Sequence, residues 1–239
     1  MRRVGILGGM GPEATVLILQ KLLTAVPAQD DADHIPVIVD QNPQVPSRIR
    51  HLLEGSGPDP APVLAQMAQR LVAGGAMALA MPCNTAHHYA PAIRAAVNVP
   101  FLDMIALSVR HARALVPQGQ SAIGILASPA VQKVGLFDAA LAKEGLTAFY
   151  PSTPEAMLAA IRQIKAQGPS AAARQALRDA SQELRARGAL VQMIACTEFS
   201  LIAEAVATDI VAFDTLDLLV TAIVKFAQTN GAEEEQAAS

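Results

Sequence analysis

Ala76–Ala86 reads AMALAMPCNTA, and Ala189–Phe199 reads ALVQMIACTEF. Each is an apolar run closed by cysteine, then a small polar residue, then a helix start. Cys83 and Cys196 are the only cysteines in the chain. A short apolar run ending this way reads as a buried strand feeding a helix. A second pair of segments repeats as well: Val4-Gly5-Ile6-Leu7 recurs as Ile123-Gly124-Ile125-Leu126, an offset of 119 (123 − 4), against 113 for the cysteines (196 − 83). Two such similar offsets suggest a duplicated half, each half carrying one thiol at the same structural place.

Working outward, further strand-like runs are Val4–Leu7, Pro36–Asp40, Ala76–Met81, Pro100–Met104, Ala122–Ala127, Leu190–Ala195 and Ile210–Phe213. Helical periodicity lies between them. Leu64, Met67 and Leu71 form an i, i+3, i+7 stripe that Gly74-Gly75 stops. Alternating strands and helices predict an α/β fold of two pseudo-symmetric lobes, each a mainly parallel sheet flanked by helices. One lobe is expected over residues 1–113 plus 215–239, with the helix Thr215–Thr229 returning to it. The other is expected over 114–214. The polar tail GAEEEQAAS is expected to fray. Gly55–Pro60 (GSGPDP) reads as a turn-rich loop, either a connector or part of a lid. Ligands of open parallel sheets bind beyond the carboxyl ends of the strands. Cys83, Cys196, Gly8–Gly11 and Ser128 all fall at such ends, which would line one cleft if the halves pack face to face.

Bulk properties narrow the function. The 239 residues are 52% hydrophobic, ample for a core, and carry a net charge of −3. That charge gives no electrostatic reason to expect nucleic acid. Two Tyr, six Phe and no Trp leave little for base stacking. No apolar run reaches the about 18 residues of a membrane span. The apolar start is interrupted by Gly8, Gly9, Gly11, Pro12 and Glu13 and does not read as a signal peptide. A cytoplasmic chain with reduced thiols is expected. Two lone cysteines make no C-x-x-C redox or zinc pattern.

Two equivalent thiols suit one reaction in particular. Inverting the α-carbon of an amino acid requires one group to take a proton from one face and another to return one to the opposite face. Cysteine has a pKa of about 8.5, and a helix N-terminus lowers it. Asn84-Thr85 and Thr197-Glu198 look like the first residues of helices, whose amides would favour a thiolate and hold a substrate carboxylate. A lone cysteine at a strand end is more often a buried apolar residue; the duplicated context argues for chemistry. Glu198 would either steer the protonation of Cys196 or cap a helix.

The segments GILGGMGPEAT (Gly5–Thr15), NPQVPSRI (Asn42–Ile49), PCNTAHHYA (Pro82–Ala90), IKAQG (Ile164–Gly168) and ACTE (Ala195–Glu198) together resemble the aspartate/glutamate racemase family, and most the cofactor-independent aspartate branch. The resemblance implies two α/β lobes around a cleft, a thiol pair, no pyridoxal phosphate, no metal and a homodimer acting on a small amino-acid substrate. It assigns Cys83 and Cys196 as the acid/base thiols. Asn84, Thr85 and Thr197 would hold the α-carboxylate, Met10 and Gly11 the loop over the ligand. Arg48 and Lys165 would receive a side-chain carboxylate, a role that suits charge-assisted donors. Ser128 keeps a hydroxyl where the family usually reads LAT-x-GT; Val131 loses one, and Phe137 stands where Tyr is frequent. The glutamate branch opens with an acidic turn and has His after its second Cys-Thr; here GGMG and Glu198 occupy those places. Aspartate is therefore the expected substrate, with glutamate or broad specificity as the alternative.

Two other readings compete. Gly9–Ala14 satisfies G-x-G-x-x-A before a helix, with Asp40 lying 26 residues on (40 − 14), as in a Rossmann-like nucleotide binder. Against it, Glu13 puts negative charge where a pyrophosphate would sit, and the cysteines go unexplained. A non-catalytic amino-acid-binding protein would need neither thiol. His87-His88 invites a metal reading, but adjacent helical residues point about 100° apart, so structural or capping roles are expected.

Overall fold

A computed structural model of the protein describes residues 1–229; the tail expected to fray lies outside them. Eight strands form two four-stranded sheets, every pairing parallel. The first half runs β1 (Val4–Gly8), α1 (Pro12–Ala25), β2 (Val37–Gln41), α2 (Ala61–Ala73), β3 (Ala78–Ala80), α3 (Ala90–Ala96), β4 (Phe101–Leu102) and α4 (Met104–Leu115). The second runs β5 (Ala122–Ala127), α5 (Pro129–Lys133), α6 (Asp138–Lys143), β6 (Thr147–Phe149), α7 (Pro154–Gln167), α8 (Ala171–Ala186), β7 (Val191–Ala195), α9 (Thr197–Ser200), β8 (Val211–Asp214) and α10 (Thr215–Gln228). Spatial order is β2-β1-β3-β4 in one sheet and β6-β5-β7-β8 in the other. Adding four to each label of the first sheet gives the second, so the duplication suggested by the offsets is present in the topology. Cys83 follows β3 and Cys196 follows β7, the strands in matching places.

The central strands β1 and β7 are buried along their whole length, as strands covered on both faces must be. On one face of the first sheet, Ile18 and Leu22 of α1 pack with Leu216, Leu219, Val220 and Ile223 of α10. The C-terminal helix thus joins the core of the first sheet, although it follows the last strand of the second. The other face is covered by Leu64, Met67 and Leu71 of α2 and Ile93 of α3. The second sheet is covered by α7 and α8 through Met157, Ile161, Leu177 and Leu184. Its opposite face meets Ile105, Val109 and Ala112 of α4. Met104, one residue earlier, belongs to the first sheet's core, so α4 is shared by both halves.

One strand is absent from the sequence reading. Thr147–Phe149 is a partly exposed edge strand that among the described residues pairs with β5 alone. Three residues with one exposed end carry no alternation to detect. The run Pro100–Met104 yields only Phe101–Leu102, because Asp103 turns the chain and caps α4, accepting from the amides of Ile105 and Ala106 at 2.9 and 3.1 Å.

Candidate active site

The carboxyl ends of the two sheets line an open cavity of about 680 Å³. Its wall is built from both halves. Met10, Gly11, Arg48, Cys83 and Thr85 come from the first, and Ser128, Lys165 and Cys196 from the second. Eight of the ten residues singled out in the sequence therefore share one cavity. Asn84 and Thr197 do not line it. Asn84 is buried and donates from Nδ2 to Thr215 Oγ1 at 3.0 Å, while its Oδ1 has no partner among the described residues. Thr197 is the buried first residue of α9.

The Gly-rich loop is shaped by close approach. Gly9 has φ +89°, and a Cβ there would come within 2.4 Å of the Asn42 backbone. Its amide donates to Thr15 Oγ1 at 2.8 Å, which ties the loop to α1. A Cβ on Gly11 would stand 3.3 Å from both Lys165 Nζ and Glu13 Oε2, and 3.5 Å from Glu198 Oε1. Gly11 makes room for charged groups that converge from α1, α7 and α9.

The two thiols have different surroundings. Cys83 is fixed through its backbone: its carbonyl accepts from His87 Nδ1 at 2.9 Å, and His87 Nε2 accepts from the Met104 amide at 3.2 Å. Both ring nitrogens are thus used by the main chain, and burial pushes the imidazole toward its neutral form. His87 is structural, as expected for it. Cys196 is held through its side chain, donating from Sγ to Glu198 Oε2 at 3.1 Å. The other carboxylate oxygen, Oε1, pairs with the Lys165 ammonium. Burial raises the Cys196 thiol well above its ordinary value; the Glu198 charge adds to this and the Lys165 charge opposes it. Burial works against the Lys165 charge, yet Glu198 outweighs it and the net shift is upward.

Arg48 donates from Nη1 to the carbonyls of Val45 and Pro46 at 3.2 and 2.9 Å, so its own loop orients the guanidinium. It makes no ion pair among the described residues. The sequence reading missed the closure over this loop. Arg162 pairs with Glu54 at 3.2 Å, and Lys133 donates to the Leu53 carbonyl at 2.9 Å, both joining the two halves. The segment near the cavity is thus Pro43–Glu54, and the Gly55–Pro60 loop does not line it. Asp40, the ribose-binding candidate of the nucleotide reading, is engaged by Arg70 through Nε and Nη2 at 3.0 and 2.7 Å. Among the described residues no cluster of His, Cys, Asp and Glu forms a metal site.

Comparison with known proteins decides among the readings. The model of the Asp/Glu/hydantoin racemase family matches residues 7–223. The chain belongs to this family. An aspartate racemase of Picrophilus torridus superposes with a TM-score of 0.83 at 25% identity, covering 96% of each chain. An aspartate racemase homologue from Pyrococcus horikoshii OT3 gives 0.73 at 19%, covering 96% of this chain and 100% of that one. A glutamate racemase of Francisella tularensis, solved with D-glutamate, gives 0.67 at 16%, covering 94% and 80%. The last two similarities speak for the fold alone. The nucleotide-binding alternative is not favoured for a member of this racemase family.

Proposed function

We propose that the chain is a cofactor-independent amino-acid racemase acting on aspartate, with Cys83 and Cys196 as its proton-transfer groups. The observation that carries this is the presence of both thiols in one cavity, each after the matching strand of a duplicated sheet. One thiolate removes the α-proton from its face. The other group, a thiol, gives its proton to the opposite face. The first sulfur ends protonated and the second ends as thiolate, so the reverse reaction starts from the mirror arrangement. Thr85, which lines the cavity beside Cys83, is the residue suited to the α-carboxylate. The second carboxylate falls to Arg48, a loop-held cation with no ion pair of its own among the described residues, with Lys165 beside it.

Each L-amino acid is incubated with the protein in D₂O and examined by chiral chromatography and mass spectrometry. Aspartate should racemise with one α-deuterium gained per inversion. Activity should survive EDTA and hydroxylamine. Inversion that depends absolutely on pyridoxal phosphate or a metal would exclude this reading. It also carries, from the resemblance, a cytoplasmic homodimer, and sedimentation analysis tests the dimer.

A further inference from the structure

We propose that Glu198 is a positioning residue that keeps Cys196 as the protonated member of the thiol pair in the resting enzyme, and that Lys165 anchors Glu198 for this purpose. The inference rests on the two-thiol reading and deepens it, because chemically equal cysteines would leave the direction of the first proton transfer undefined.

The geometry is a short chain of three groups. The Cys196 S–H donates to Glu198 Oε2 at 3.1 Å, and Glu198 Oε1 pairs with Lys165 Nζ. Glu198 is two residues from Cys196, on the short helix that Cys196 caps, and its side chain is only 10% exposed. A carboxylate accepts hydrogen bonds and cannot donate one while ionised. It therefore stabilises a thiol facing it and repels a thiolate, and burial strengthens both effects. The residue at the matching place after Cys83 is Thr85, which carries no charge. The duplication thus supplies two cysteines and only one carboxylate, so the pair is unequal by construction. Nearest to this site are Glu198 on α9, Lys165 from α7 and Glu13 at the start of α1, with Cys83 across the cavity; Arg48, Arg50, Glu54 and Arg162 are the other charged side chains lining it. The Lys165 ammonium is the counter-ion of the Glu198 carboxylate in this buried place. It also limits the repulsion when Cys196 becomes a thiolate after giving its proton to the substrate.

This divides the labour of Lys165. Its ammonium pairs with Glu198, so a substrate carboxylate meets a cation already shared. Its effect on catalysis then includes setting the proton on Cys196, beyond any contact with substrate.

The test is alkylation without substrate. The protein is treated with iodoacetamide across a pH series, and modification at Cys83 and Cys196 is followed separately by peptide mass spectrometry. Comparing pH midpoints removes differences in access between the two buried sulfurs. In the unaltered protein, Cys196 should titrate at higher pH than Cys83. In Glu198→Gln its midpoint should fall by about one pH unit, an about tenfold gain in alkylation rate below the midpoint. Glu198→Asp, which keeps the charge, should restore most of the delay. A helix-capping role alone would leave the midpoint where it was. The proposal is overturned if Glu198→Gln leaves the Cys196 midpoint unchanged, or if Cys196 titrates below Cys83 in the unaltered protein. The second result needs no variant, so a Glu198→Gln protein that fails to fold does not shield the idea. Failure of the racemase reading would appear separately, as absence of aspartate inversion by the unaltered protein.

Discussion

Asn84 Nδ2 donates to Thr215 Oγ1 at 3.0 Å, and the same hydroxyl donates to the Ile194 carbonyl at 3.0 Å. One side chain thereby ties the turn after Cys83 to the strand that leads into Cys196. Thr215 opens α10, the helix that crosses back to the first sheet. The returning helix thus fastens both thiol-bearing segments. Thr215→Val keeps the shape and removes the hydroxyl. The Asn84 amide nitrogen would lose its acceptor in a buried place. The expected cost is about 1–3 kcal/mol. It should appear as a lower urea midpoint with unchanged slope; an unchanged midpoint would show that the hydroxyl is dispensable.

The parts of this architecture that were legible in the sequence are those with a local signature. Fully buried strands such as Val4–Gly8 and Val191–Ala195 read as apolar runs, and the stripe Leu64, Met67, Leu71 gave α2. Cys83 and Cys196 stood out through their repeated contexts. The pairing of Lys165 with Glu198 spans 33 positions and that of Arg162 with Glu54 spans 108. Neither leaves a trace in local pattern, since each partner alone reads as an ordinary charged residue. α10 packs its apolar residues against α1 in the core of the first sheet, a contact between segments far apart in the chain. That α4 serves both cores was not legible: Met104 and Ile105 are adjacent and apolar, and only the packing assigns them to different sheets.

Arg48→Ala and Lys165→Ala should differ in kind. Removing Arg48 takes away a charge-assisted contact to the second carboxylate, worth about 1.5–3 kcal/mol. The loss should fall mainly on KM for aspartate and spare any activity on monocarboxylic amino acids. Removing Lys165 also leaves Glu198 without its counter-ion beside Cys196. That variant should lose kcat with every substrate that is turned over. Steady-state kinetics on aspartate and alanine check both statements, and aspartate turnover unchanged in the two variants would return both residues to ordinary surface charge.

Asp214 gives a pH dependence of stability. It caps α10, accepting from the Leu216 amide at 2.8 Å and from Ser200 Oγ at 3.0 Å, while its buried Oδ2 has no partner among the described residues. Burial raises its carboxyl from 3.8 to about 6. The folded state then binds more protons than the unfolded chain between those values, so this group's contribution to stability falls as pH rises through the window. Below pH 3.8 the contribution is fully present; above about 6 it is lost, a change on the order of 3 kcal/mol. Asp214→Asn keeps an acceptor for the cap and cannot ionise. Unfolding free energies of the two proteins, measured from pH 4 to pH 7, should converge at the acid end. Near neutrality the Asp214→Asn protein should be the more stable of the two. Parallel curves would mean that Asp214 does not titrate in this range.

Single replacements of the cysteines separate proton removal from inversion. Each enantiomer presents its α-hydrogen to one sulfur only, so Cys83→Ser and Cys196→Ser should both lose racemisation. Their exchange with D₂O should differ. The variant that keeps Cys83 retains the sulfur with no carboxylate hydrogen-bonded to it among the described residues, and should still exchange the α-hydrogen of one enantiomer without inverting it. The variant that keeps Cys196 retains a thiol that donates to Glu198, and should exchange the other enantiomer far more slowly at neutral pH. Raising the pH should narrow the gap, because deprotonation of Cys196 is the step being held back. Chiral chromatography with α-deuterium counting on each enantiomer reads both quantities in one sample. Near-normal racemisation by either variant would exclude a mechanism in which two sulfurs serve two faces, and equal exchange by both would remove the asymmetry that Glu198 is argued to impose.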